Sequence, residues 1–211
     1  MKTQSSLSLK LLIAAMTLCL ELGASTLAQS QDQAGKTSAF GQAKWTADKN
    51  HAQLNFSATH FGISHVEGVF KDFSVTITSE KDDFTDAQIE MAAQINSIYT
   101  QVEMLDNDLK SSNWFDAEKF PVMVFKSTSL KKISGKNYKL DGNISFHGVT
   151  KPVVFNVVFN GWAVTMTKKQ TAGFTLTGKL NRSDFDLGGT PLLTGVGNEI
   201  EVRSNIEIGK N

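Results

Sequence analysis

The sequence predicts an all-β fold, an eight-stranded antiparallel barrel with one or two short helices near residues 103–120. Three observations carry that prediction. The stretch from Tyr138 to Asn160 alternates apolar and polar residues with period two in both halves, as a strand with one dry face and one wet face does. The same alternation returns along most of the chain, with short turns between the runs. Glycines (Gly68, Gly142 and Gly178) stand inside apolar runs, where a strand without a side chain bends readily. One-faced strands must bury their dry side, and strong bending favours a sheet closed on itself over two flat sheets.

The first 28 residues stand apart from this pattern. Lys2 and Lys10 flank a polar start, Leu11 to Leu20 is an apolar run, and Thr26 and Ala28 stand three and one residues before a cut ahead of Gln29. That is the layout of a cleaved secretory signal peptide, and the run is too short for a permanent membrane span. Bulky Leu18 before Cys19 argues against a lipoprotein anchor. Residues 29–42 are rich in Gln, Ser, Ala and Gly without apolar period and read as a flexible linker. The domain then spans 43–211. Removing residues 1–28 takes two Lys and one Glu from 21 basic and 21 acidic residues, leaving a net charge of about −1. No basic patch of the kind nucleic acid requires remains. The single cysteine departs with the signal, so the mature chain has no disulfide and no thiol nucleophile.

The strands follow in order. After one around Trp45, Leu54, Phe56, Ala58 and His60 share a face, then Val66, Gly68 and Phe70. Phe73, Val75 and Ile77 continue one residue out of step, which predicts a β-bulge at Lys71 and Asp72. Glu80 to Asp86 reads as a charged turn, and Ala87, Ile89, Met91, Ala93 and Ile95 as the next strand. Met123, Phe125 and Ser127 lead into the long hairpin, whose connection is expected over His147 to Pro152. Alternation from Ala172 to Leu180 and from Ile200 to Ile208 supplies the last two strands. The exception is Glu103 to Pro121, which lacks strand alternation, has helix-start chemistry at Asp106 or Asn113, and stops at Pro121. The inward set is apolar and almost uncharged. An eight-stranded barrel is just wide enough for side chains or one small ligand, so any cavity in it would be greasy.

Candidate chemistry is sparse. His60 and His65 lie five apart rather than the two that put ligands on one strand face, His51 and His147 are distant, and no CxxC or HExxH is present; no metal is expected. His60, on the apolar face, reads as a hydrogen-bonded neutral imidazole, and His147 as packing against or capping its turn. Asp106, Asp108 and Asp116 cluster near the helical crossing, where carboxylates usually cap or stay exposed. No G-x-S-x-G elbow occurs. The glycine-rich stretches Leu187 to Thr190 and Thr194 to Gly197 lack the strand-to-helix setting of a phosphate loop and read as loops at the barrel mouth. No cofactor is expected and no catalytic residue is assigned.

Seven short motifs, in order, resemble the YceI-like family. They include Asp48-Lys49-Asn50-His51, Thr59 to Ser64, Val66 to Phe70, Leu109 to Ser111 with Trp114-Phe115-Asp116 and Phe120-Pro121, Phe125 to Ser127, Phe146 to Pro152, and Arg182-Ser183-Asp184-Phe185. The resemblance covers about Lys44 to Ile208. It implies a lipocalin-like barrel in the bacterial periplasm that holds a polyisoprenoid or isoprenoid quinone. On that reading Leu54, Phe56, Phe70, Met91, Phe125, Ile144, Phe155 and Phe174 are candidates for an apolar tail channel, and His60, Asp106 and Arg182 for its polar end. The chain departs from the family where Leu105 and Asp108 replace a frequent Arg and His, and where Asp186 replaces a usual glycine. The expected partners are an isoprenoid lipid, transient membrane contact and a homodimer mate. Two other readings stand beside it: a protein-interaction module with a filled barrel, and an enzyme on a small lipid-like substrate.

Overall fold

The computed structural model describes residues 43–166, 168–189 and 195–210; the expected signal peptide and linker, and Thr190 and Thr194 of the glycine-rich loops, lie outside these residues. The strands are β1 (Ala43–His60), β2 (Ser64–Phe70), β3 (Phe73–Ser79), β4 (Gln88–Gln94), β5 (Ile98–Tyr99), β6 (Val122–Ser134), β7 (Asn137–Phe146), β8 (Val149–Val164), β9 (Gln170–Asn181) and β10 (Val196–Lys210). Among the described residues one α-helix, α1 (Glu103–Lys110), and two 3-10 turns, Ile95–Ser97 and Arg182–Phe185, interrupt them.

All strand pairings are antiparallel, and β10 closes the sheet by pairing with β1 from Trp45 opposite Lys210 to His60 opposite Val196. β2 and β3 both lie along β1, β2 against its second half and β3 against its start. Taken as one interrupted strand, they make the eighth stave of a closed barrel. The phase slip at Lys71 and Asp72 is therefore a break between two strands rather than a bulge within one. Lys71 donates its N–H to Ser97 O and Gln94 donates to Asp72 O, so these two residues serve the chain crossing beside them instead of the ladder. The residues around Trp45 belong to the same long β1 as Leu54 and Ala58. Between them Asp48 to His51 bulges out of register with β10. There Asp48 accepts from Asn50 N–H and contacts His51 Nδ1 at 3.0 Å. That hydrogen bond holds Asp48 below and His51 above their ordinary pKa, an exposed pair on the barrel's outside.

The long hairpin forms as β7 and β8, with Tyr138, Leu140, Gly142, Ile144 and Phe146 all buried on β7 and Val153, Phe155 and Val157 on β8. Its connection is tighter than expected. Phe146 already pairs with Val149, so only His147 and Gly148 turn, both at positive φ, and Pro152 sits exposed within β8 opposite Asn143. A two-residue turn with positive φ at both positions matches the strand twist and needs no longer loop.

The interior glycines carry rings. A Cβ on Gly68 would meet the Phe56 ring, one on Gly142 the Phe125 ring, and one on Gly178 the Phe155 ring, each at 2.3–2.4 Å. An aromatic side chain on a neighbouring strand thus covers each bare backbone segment, which protects its hydrogen bonds while the sheet curls. Gly142 is the least forgiving, because its Cβ would also stand 2.6 Å from the carbonyl oxygen of Lys126, a backbone atom. Gly142→Ala is therefore expected to cost about 1–3 kcal/mol through overpacking, seen as a lower urea midpoint at an unchanged slope.

Candidate functional site

The site is made where the chain leaves the sheet between β4 and β6. β4 leaves the barrel at Gln94, opposite Val122, and β6 re-enters there, with Ile95 N–H donating to Pro121 O at 2.9 Å. Between these points the chain makes a 3-10 turn, pairs Ile98 and Tyr99 of β5 with Phe70 and Val69, and winds into α1. Beside β2 the wall at this end of the barrel is thus a helix and its flanks.

α1 begins three residues before the expected Asp106, with Val102 as N-cap and no side-chain cap, and Asn113 starts no helix. The reason is that Asp106 works backwards. It is 7% exposed, and its Oδ1 accepts from Thr100 N–H at 2.7 Å and from Thr100 Oγ1 at 2.6 Å. That carboxylate ties the first turn of α1 to the end of β5. On the next turn Asp108 accepts from Trp114 Nε1 at 2.9 Å. Trp114 in turn lies against Gly188, at positive φ, and 5.6 Å from the Arg182 guanidinium. Arg182 is 2% exposed and donates to the carbonyls of Leu187, Gly189, Val196 and Gly197. Burial lowers its pKa from the ordinary value. It clamps the loop after β9 to the start of β10. His147, held by Phe185 O at 3.0 Å and against the Phe120 ring, fastens the same end from β7.

Inside this frame lies an apolar cavity of about 420 Å3. Leu54, Phe56 and Ala58 of β1, Val66 and Phe70 of β2, and Ile200 and Val202 of β10 form one side; Leu105 and Leu109 of α1, Trp114, Phe115, Met123, Phe146 and Phe185 form the other. Polar side chains are few: Asn55, His60, Asp108 and Arg182. Val102 and Met104 line the cavity and are also solvent-exposed, Met104 at 81%, so they stand at its mouth. Such a volume, with a greasy wall and a handful of polar atoms, is typical of small-molecule sites of roughly 300–1,000 Å3.

The structure gathers some of the predicted residues here and not others. Leu54, Phe56, Phe70, His60 and Arg182 line the cavity. Phe125, Ile144 and Phe155 do not; they are 3–5% exposed and form a packed layer beneath it, with Phe125 and Phe155 edge to face at 5.8 Å. Met91, opposite Phe125, is half-buried against the same core. Phe174 lies at the far end, on a second, apolar space of about 60 Å3. Asp106 turns away to Thr100. His60 is half-buried at the lip, 4.4 Å from the Phe61 ring, because it is the last residue of β1 where the wall meets solvent. Among the described residues no three His, Cys, Asp or Glu gather to hold a metal.

Sequence reasoning missed the α1 contribution (Val102, Met104, Leu105, Leu109), and Trp114, Phe115 and Phe185. A usable signal existed, since Leu105 and Leu109 are four apart on a short helix and share one face. It also missed Phe84. The turn of Glu80 to Asp86 is charged as expected, yet Phe84 within it is 2% exposed and plugs the far end among Trp45, Trp162 and Phe174 at 5.2–5.6 Å.

Comparison with known proteins agrees with this architecture. The model of the YceI-like domain matches residues 45–208. A UPF0312 protein of Pseudomonas putida strain GB-1 is 31% identical over 172 residues, covering 81% of this chain and 85% of the relative. A Campylobacter jejuni YceI protein superposes with a TM-score of 0.64 at 29% identity, covering 71% of this chain and 87% of the other. Burkholderia cenocepacia BcnA gives 0.69 at 19% identity over 76% and 98% of the two chains. A domain from Saccharophagus degradans described as polyisoprenoid binding gives 0.58 at 12% identity over 79% and 98%. The last two likenesses speak for the fold.

The tie between α1 and β5 has a direct test. Asp106→Ala leaves the buried N–H and hydroxyl of Thr100 without that acceptor, at a cost of about 1–3 kcal/mol. Hydrogen exchange is expected to quicken over residues 98–110 while β7, β8 and β9 keep their protection.

Proposed function

The chain belongs to the YceI-like domain family, and from that premise we propose that its barrel holds a polyisoprenoid or isoprenoid-quinone lipid by the tail, for carriage, storage or stress protection in the periplasm. The observation that carries this reading is the apolar cavity of about 420 Å3 between α1 and the barrel. A prenyl tail asks for no specific polar partner. Each Å2 of its surface removed from water contributes about 25 cal/mol, so affinity grows with the length enclosed. The description of the Saccharophagus degradans domain as polyisoprenoid binding points to the same ligand class. The signal-like residues 1–28 support export.

The tail enters between Val102 and Met104, the residues that both line the cavity and meet solvent. It runs inward past Phe56 and Leu54 and stops at the layer of Phe125 and Phe155. The head group stays at the lip with His60 and Asp108. Transient contact with a membrane follows from exchange of such a ligand. The reading of a filled barrel that serves only as an interaction module lacks an observation of this kind.

Native mass spectrometry of mature protein purified without detergent, followed by organic extraction, tests the proposal. A bound species carrying a prenyl mass ladder is expected, and the same spectrum reports whether the protein is a dimer. Ala58 is 6% exposed and lines the cavity, so Ala58→Trp fills it. That variant is expected to lose retained lipid by roughly tenfold or more while keeping its β-sheet circular dichroism. A wild-type protein that stays bare when quinones and prenyl alcohols are added sinks the reading.

A further inference from the structure

The end of the barrel opposite the cavity carries a second feature that the ligand reading does not use. Two hairpin tips project there, between β6 and β7 and between β8 and β9. They are neighbours: Phe159 N–H donates to Lys136 O at 2.8 Å, and Lys136 Nζ donates to Asn160 O at 3.2 Å. Residues 131–137 and 161–171 hold Lys131, Lys132, Lys136, Lys168 and Lys169, all exposed, and no acidic residue.

The same tips present apolar side chains to water. The register of β8 shifts at Gly161, after which Trp162 turns onto Trp45 and Phe84, both at 5.4 Å, and finishes the core. Val164 and Met166 continue beyond it with nothing beneath them: Val164 is 72% exposed and Met166 fully so, with Ile133 at 64% on the adjoining tip. Carboxylates near this end include Asp141, which Lys131 faces, Glu207, opposite Gly173, and those of the β3–β4 loop, where Lys132 helps to lower the Asp83 pKa. There Asp86 is engaged by Ser79 Oγ and Glu80 N–H, and Asp83 by Thr85. β4 neighbours β6, so that loop flanks the β6–β7 tip on the side away from β8 and β9. The result is a basic sector, not a basic end.

We propose that these two tips dock the protein onto an anionic phospholipid surface. Single apolar side chains on protruding turns, accompanied by lysines, present points of insertion rather than a broad apolar face for a folded partner. They suit a bilayer interface, where Val164, Met166 and Ile133 enter the headgroup region and the lysine ammonium groups meet lipid phosphates. Each lysine adds attraction within a Debye length of such a surface, so binding falls as salt rises. The consequence is an orientation. A protein docked this way holds the mouth at Met104 away from the surface that bears it.

The test is co-sedimentation of the mature protein with vesicles of phosphatidylethanolamine and phosphatidylglycerol, and with phosphatidylcholine vesicles, over a range of salt. Salt-sensitive binding to the anionic vesicles alone is expected. Lys168→Glu with Lys169→Glu should weaken it roughly tenfold or more, Val164→Ser with Met166→Ser should weaken it further, and Met104→Ser at the mouth should leave it unchanged. The tip substitutions should not alter retained lipid, so this result stands or falls separately from the ligand reading. Absence of binding to anionic vesicles at low salt overturns the proposal. So does equal binding to phosphatidylcholine, insensitivity to the tip substitutions, loss on Met104→Ser instead, or capture of polyglutamate in place of vesicles.

Discussion

The constraint on which the rest of this structure depends is the volume enclosed by eight strands. An interior of that width has to be filled by side chains or left empty, and protein interiors are close-packed, so emptiness is costly. This chain fills one half and leaves the other. In the far half the inward positions carry Trp45, Phe84, Phe159, Trp162 and Phe174, a run of rings 5.2–6.3 Å apart. In the half beside α1 the corresponding positions include Ala58, Val66, Gly68, Val196 and Val202. Small side chains there leave room among the larger ones of the wall, and Phe125 and Phe155 pack in the layer beyond.

The wall next to the cavity is the least tied part of the barrel. Elsewhere the staves are bonded on both sides over part of their length, as β7 is to β6 and β8. At the mouth, β2 has β1 on one side and only the two pairs of β5 on the other, with α1 beyond. What holds α1 is a short set of side-chain ties: Asp106 to Thr100, Asp108 to Trp114, and Trp114 against Gly188 and Arg182. Arg182 then secures the opposite lip through four backbone carbonyls rather than through a carboxylate. Regions with few backbone bonds to their neighbours open at lower free energy than packed strands do. On the proposed reading, a wall of this kind lets a long apolar molecule enter without unzipping a sheet.

The barrel was legible because alternation is a local signal. Each residue of β7 reveals its face through its own type, and the same holds for β1, β6, β9 and β10. The hidden parts depend on neighbours distant in sequence. Nothing within Val66 to Ile77 says that Lys71 and Asp72 answer to Ser97 and Gln94, so a break read as a bulge. Nothing within Glu80 to Asp86 says that Phe84 swings under the barrel. The tail candidates divide for the same reason. Phe56 and Phe125 look alike in alternation, but the height of a residue along the barrel axis is set by strand register, which a single run does not encode. The helix start was misplaced because Asp106 has the composition of a cap and is spent on the residue that ends β5.

Two of the three departures from the family pattern, Leu105 and Asp108, fall at the cavity, and their consequence is electrostatic. Leu105 and Asp108, which stand where the family often has Arg and His, both line the cavity. One substitution removes a cation and the other installs a carboxylate already committed to Trp114 Nε1. The remaining cation, Arg182, is bonded to backbone carbonyls and sits in the wall. The edge therefore offers His60 and Asp108. On the proposed reading, a phosphorylated head group would meet the exposed Asp108 carboxylate, a like charge whose repulsion water weakens without removing. A quinone ring or an alcohol brings dipoles and hydrogen bonds without that penalty.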